Sequence, residues 1–252
     1  MKKILVDVGG YEGDACLAAL DPAFDFDVVY CFEPVKKCAD SIKIRVSHPK
    51  LEVINAALSN FDGNADLFGP GTLAGSLFSD HEHVNSQVAE QCRVVRATGF
   101  LLPLVQSGDE IYVKLNCEGA EIPILEDLLD SGVFLKLKSV LLDLDAKKIP
   151  SLSERLSKIE EDLAKIESRN WFYPEEVQFG QQCTFGGIRN WLKVSGARAP
   201  GVSSKVTSFR YHLSLWNKGE FRGYYKFLLA RRLPKFFMII YYKYLRPKTA
   251  AS

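Results

Sequence analysis

The feature that most constrains this chain is a rhythm near its N-terminus. Ile4 to Val8 is a short apolar run that ends in Gly9-Gly10, and a helix-like stretch follows from about Asp14 to Leu20. Asp27 to Phe32 carries a second apolar run, Val28-Val29-Tyr30-Cys31-Phe32, ahead of a helical pattern over Lys36 to Val46. Leu51 to Leu58 is a third run, and Asn60 to Asn64 a turn. Strand, helix, strand, helix, strand predicts a parallel sheet with helices packed on it. The alternation resumes with a strand at Glu110 to Asn116, a helix at Ile122 to Leu129, a buried strand at Ser139 to Leu144 and an amphipathic helix at Ser151 to Ser168. Glu176 to Val194 is expected to close the sheet as a hairpin turning at Gly186-Gly187. Between the two series, Gly69 to Val84 is too glycine-rich for regular structure. Excursions of this kind beside the carboxyl ends of strands tend to bind substrate.

Charge divides the chain in two. Up to Ala199 there are 21 Lys and Arg against 30 Asp and Glu, a net of −9; from Pro200 onward there are 11 against 1, a net of +10. The expected domains are therefore a body, 1–199, and a basic tail, 200–252. With 252 residues, 47% hydrophobic and 25% charged, the chain is neither disordered nor a polytopic membrane protein. The six cysteines form no C-x-x-C pair, which favours a reducing compartment. The apolar stretch before Asp7 is too short for a signal peptide. A cytoplasmic location is expected, with a peripheral position at the inner face of the membrane open to it.

Three clusters suggest chemistry. In Asp7-Val8-Gly9-Gly10-Tyr11-Glu12-Gly13 a strand ends in close glycines before a helix, so a ligand can lie against bare backbone near the positive helix end. The spacing is not the G-x-G-x-x-G of a dinucleotide site, and the acid ahead of the glycines suits a cationic amino-acid portion. A plain strand-to-helix connection would carry the same glycines. Glu33, in Phe32-Glu33-Pro34, stands where a carboxylate can accept both hydroxyls of a ribose. The run Lys114-Leu115-Asn116-Cys117-Glu118-Gly119-Ala120-Glu121 delivers four polar side chains to a strand end. There Lys114 needs a carboxylate partner, while Glu118 and Glu121 could simply cap a helix.

These runs, with Asn55-Ala56-Ala57-Leu58-Ser59, resemble the FkbM-type S-adenosylmethionine-dependent methyltransferases over about Ile4 to Asp145. The resemblance implies an α/β, doubly wound class I methyltransferase (Rossmann-like) fold: a mostly parallel seven-stranded sheet with one antiparallel strand, here followed by a basic aromatic C-terminal extension. It implies O-methylation of a sugar hydroxyl in a glycan, polysaccharide or glycoconjugate, with S-adenosyl-L-methionine as cofactor. Asp7, Gly9, Gly10, Tyr11 and Gly13 would surround the methionine portion, Glu33 the ribose and the stretch around Ala57 the adenine. Asn116 would join this cofactor set, and Lys114, Asn116 and Glu118 would line the reaction site. The family usually has Asp at the place of Asn116, and a Leu-Asp-Asp run at that of Thr98-Gly99-Phe100.

The candidate catalytic residues are Lys114, Glu118, Asp143 and His81, the last from Asp80-His81-Glu82-His83. Histidine titrates near neutrality and suits a general base; His81 and His83 could equally be solvated loop residues. The same H-x-H offers no third ligand at a telling spacing, so no metal is expected. The tail interleaves basic residues with aromatics, and Phe221, Tyr224, Tyr225, Leu228 and Leu229 follow helical spacing. A helical tail could lie on an anionic membrane surface, cover the core or make an oligomer contact. Nucleic-acid binding is disfavoured for lack of a module. Two alternatives remain from other classes: a non-catalytic nucleoside-binding or membrane-adaptor protein that keeps the fold, and an RNA methyltransferase that uses the tail.

Overall fold

The computed structural model describes residues 1–72, 74–177, 184–199, 211–212 and 214–215. Its centre is β1 (Lys3–Val8), paired in parallel with β2 (Val28–Phe32) on one side and β7 (Glu110–Leu115) on the other. Outward from β2 lies β3 (Leu51–Ile54); outward from β7 lie β8 (Ser139–Leu142) and β9 (Trp171–Phe172). The order β3-β2-β1-β7-β8-β9 is parallel throughout. The chain winds outward on one side of β1, then restarts on the other, so the carboxyl ends of β1 and β7 flank a topological switch point.

Both faces of the sheet are covered, which is why its strands read as unbroken apolar runs. Side chains alternate between faces. Ile4, Val6 and Val8 of β1 pack with Ile111, Val113 and Leu115 of β7 against α3 (Ala97–Gln106), α4 (Glu121–Asp130) and α5 (Ser153–Ala164). Leu5, Val29, Cys31, Tyr112 and Leu141 face α1 (Asp14–Ala19), α2 (Lys36–Val46) and, after the short α6 (Pro174–Val177), α7 (Thr184–Val194). Asp7 and Lys114 belong to this second face, opposite each other in register.

The architecture is α/β and mostly parallel as expected, but several particulars differ. Among the described residues the main sheet has six strands; β8 and β9 are direct neighbours, leaving no slot between them for an antiparallel strand. The expected hairpin at Gly186-Gly187 is the helix α7. Phe185, Ile188, Trp191 and Leu192 recur at helical spacing and bury against α1 and the sheet, and Trp191 Nε1 donates to Ser139 Oγ at 2.9 Å. The predicted third strand is two. After β3, Asn55 turns aside to donate to the carbonyls of Glu33 (2.9 Å) and Pro34 (2.8 Å), and Ala57–Ser59 becomes β4 of a second sheet. That sheet, in the order β4-β6-β5, pairs β6 (Ala89–Arg96) in parallel with β4 and antiparallel with β5 (Gly63–Phe68).

Most of the 200–252 segment, including its proposed helical stretch, lies outside the described residues. Four of its residues are seen on the body. Tyr211 Oη donates to the Leu17 carbonyl at 2.8 Å, His212 Nε2 lies 2.7 Å from Asp21 Oδ2, Ser214 bonds back to the Tyr211 carbonyl, and Leu215 is buried in the α1/α7 layer. Among the described residues no helix is long and apolar enough to cross a membrane.

Candidate functional site

A cavity of about 740 Å3 opens at the carboxyl ends of β1, β2, β7 and β8, within the size range of small-molecule sites. Its floor is the glycine bend after β1. Gly9 (φ +84°) is pressed so closely on the next loop that a Cβ there would stand 2.0 Å from the Asn116 carbonyl oxygen; at Gly10 it would meet Cys31 Sγ at 2.3 Å. Both amides bond to the Phe32 carbonyl, at 3.1 and 3.2 Å. The glycines are needed first for the mutual approach of the strand ends. Tyr11 follows with φ +45°, a left-handed conformation that is uncommon for a side-chain-bearing residue.

Glu33 is the polar centre of this half. It is buried, lines the cavity, and accepts from Tyr11 N at 2.8 Å and Val35 N at 2.9 Å, one bond to each carboxylate oxygen. Burial raises its pKa against the pull of those two amides. Each oxygen keeps a lone pair for a ligand hydroxyl. Ala57 and Leu58 line the apolar wall beside it with Leu67 and Leu77.

Beneath the bend lies a buried ion pair. Lys114 Nζ donates to the carbonyls of Gly9 (2.7 Å) and Val8 (3.2 Å) and sits 3.0 Å from Asp7 Oδ1. The last contact lacks hydrogen-bond geometry, so it is an ion pair only. Burial opposes charge on Lys114, but Asp7 outweighs it and holds the pKa above its ordinary value. Lys114 therefore touches the cavity while directing its three protons into the protein. Asp7 does not line the cavity at all, and Cys16 Sγ contacts its other oxygen at 3.4 Å. Asp7, Cys16 and Cys31 lie close enough together to ligate a metal. The Lys114 ammonium already serves Asp7, and a metal there would meet that charge. Gly13 likewise stands behind the cavity, against Ile42 and Val46 of α2.

The opposite half is built by charge. Asn116 Nδ2 donates to Asp143 Oδ2 at 2.6 Å, and burial, followed by Asp145, raises the Asp143 pKa. Glu118 has φ +51°, and its carbonyl accepts from Ser76 Oγ at 2.6 Å. Glu118 Oε2 receives His81 Nε2 at 3.0 Å and Lys148 Nζ at 3.3 Å; Lys148 also pairs with Asp145 at 2.6 Å. No bond from the described residues reaches Glu118 Oε1. Burial and Asp145 raise the Glu118 pKa. Behind it, the buried Glu121 accepts from Cys117 N and, at 2.7 Å, from Gly119 N. Burial pushes its pKa up to about 7.

His81 is not a solvated loop residue. Its side chain is enclosed, and Nδ1 accepts from His83 N at 3.1 Å, so in the neutral ring Nε2 carries the proton and donates to Glu118. Neither nitrogen then has a lone pair for a substrate proton, and His81 acts on the cavity through Glu118. His83 is exposed.

The cavity thus gathers Gly9, Gly10, Tyr11, Glu33, Ala57, Lys114, Asn116, Glu118 and Asp143, with Asp7, Gly13 and His81 one layer behind. Asp145 and Lys148, which sequence reasoning missed, line it too. The available signal was Asp143-Leu144-Asp145 immediately after a buried strand. No protein-family model, curated protein or solved structure matches the chain.

Proposed function

We propose that the cavity binds S-adenosyl-L-methionine and that the chain transfers its methyl group to a sugar hydroxyl of a glycan or glycoconjugate, as the motif resemblance to FkbM-type methyltransferases implies. The observation that carries this reading is Glu33, an acceptor at the end of β2 held over the Gly9-Gly10 bend by two backbone amides. Ribose hydroxyls satisfy its open lone pairs, and the apolar wall at Ala57, Leu58, Leu67 and Leu77 suits an adenine. Among the described residues the lining contains six carboxylates, two lysines and no arginine. A cationic sulfonium and ammonium fit that balance; the pyrophosphate of a dinucleotide does not.

Glu33 and the Gly9-Gly10 bend would hold the cofactor, which would supply an activated methyl on a sulfonium, its C–S bond giving way to the acceptor C–O bond with a neutral thioether left behind. The protein must hold the acceptor oxygen about 3–3.5 Å from that methyl and take the hydroxyl proton. Glu118 takes it through Oε1: its raised pKa makes it a better base than an ordinary carboxylate, while His81 and Lys148 fix the other oxygen. In the same reading the tail from Pro200 holds the protein on an anionic membrane surface or on its substrate, on the cytoplasmic side.

Isothermal titration calorimetry with S-adenosylmethionine and S-adenosylhomocysteine tests the proposal. Both should bind, and Glu33→Gln should weaken binding at least about tenfold through loss of charged hydrogen bonds. No binding removes the cofactor reading. Binding without transfer of labelled methyl to any glycan hydroxyl favours the non-catalytic alternative.

A further inference from the structure

Among the described residues, most charged and amide donors around the cavity are directed at the protein's own acceptors. Of the two lining lysines, Lys114 is directed at Asp7 and two carbonyls, and Lys148 is shared between Asp145 and Glu118. The loop amides follow the same pattern. Glu33 takes those of Tyr11 and Val35, and Glu121 takes those of Cys117 and Gly119 ahead of α4, where an anion would otherwise find a helix N-terminus. Asn116 gives its side-chain amide to Asp143, and His81 gives its one proton to Glu118. Among the described residues, what meets a second ligand beyond the β7 end is mainly acceptor surface: Glu118, Asp143 and Asp145, with Lys148 as the one lysine among them.

An anionic group entering this half would have to be desolvated against three carboxylates, and the Lys148 ammonium that could receive it is already shared between two of them. A neutral hydroxyl donates to Glu118 without that cost. An ammonium gains more, because it offers three donors to the carboxylates of Asp143 and Asp145 that line this half.

We infer that the acceptor is an amino sugar, or a polyol of like chemistry, with a protonated amine beside the reacting hydroxyl and no carboxylate, phosphate or sulfate near it. The inference rests on the methyl-transfer reading and deepens it.

The test uses the full chain saturated with S-adenosylhomocysteine and titrated at low ionic strength with D-glucosamine, N-acetyl-D-glucosamine and D-glucuronate. Glucosamine should bind at least about tenfold tighter than its N-acetyl derivative, as expected for one desolvated charge pair, and glucuronate should not bind. Asp145→Asn removes one partner of Lys148 and should shrink the preference for glucosamine while admitting glucuronate, with affinity for the nucleoside unchanged. Equal binding of the three sugars, tighter binding of glucuronate, or no sugar binding beside intact nucleoside binding each overturns the inference and leaves the cofactor reading standing. Loss of nucleoside binding sinks the cofactor reading first, and this inference with it.

Discussion

The two halves of the cavity are made in different ways. Around the Gly9-Gly10 bend, geometry is fixed by closeness: backbone lies against backbone, a Cβ at Gly9 would strike the Asn116 carbonyl, and Glu33 is set by amides of its own and the neighbouring loop. Across the cavity, Glu118, Asp143, Asp145 and Lys148 are set by one another's charges and by His81 from a distant loop. A site can thus pair a sterically rigid half with an electrostatically tuned one, and only the second should respond strongly to pH and salt.

The ion pair beneath the bend offers the hardest break. Lys114→Met leaves Asp7 charged and enclosed without a cation, and should lower unfolding free energy by about 3–5 kcal/mol, read from urea denaturation. Adding Asp7→Asn should return part of that loss; if the double variant is as unstable as the single one, the pair is not what braces the loop.

Gly9→Ala tests the steric half directly. The new methyl adds overlap with the Asn116 carbonyl to a left-handed backbone, for an expected loss of about 2–4 kcal/mol. That loss should be the same at low and high salt, and nucleoside affinity should fall with it. A strongly salt-dependent effect would erase the distinction between the halves.

Glu121 sharpens the electrostatic half. Its folded pKa of about 7 exceeds the ordinary 4.5, so between those values the folded state holds a proton that the unfolded chain has released. Its contribution to stability is complete below about pH 4.5 and fades as pH rises through 7, a change of at most about 3 kcal/mol. Glu121→Gln should flatten the stability profile across that window; an unchanged slope would show that Glu121 titrates as an ordinary carboxylate.

The same division explains what was legible in the sequence. Lys36–Val46 is observed with the expected bounds, and the strand expected over Asp27 to Phe32 starts one residue later, at Val28, because local periodicity sets both. The need of Lys114 for a carboxylate was readable from its place in an apolar strand, and the register supplies Asp7. Contacts between distant segments were not readable. His81 meets Glu118 across 37 positions and Lys148 meets it across 30, with no local pattern to announce either. Gly186-Gly187 misled for a physical reason: a glycine pair is a common turn signal, yet burial of Phe185, Ile188, Trp191 and Leu192 on one side outweighs its low helix propensity. The second sheet was hidden because β5 carries only one buried residue, Leu67, in a largely polar run.

The anchorage of Tyr211, His212 and Leu215 bears on where this molecule can be cut. Although composition changes at Pro200, the body ends later: α1 borders the cavity at its first turn and is gripped by these side chains farther along. Removing everything after Ala199 would strip a wedge from the interior together with the basic aromatic stretch, and a lost property could then be blamed on either. A stop codon placed beyond Leu215 keeps the wedge, so that whatever disappears belongs to the remainder alone.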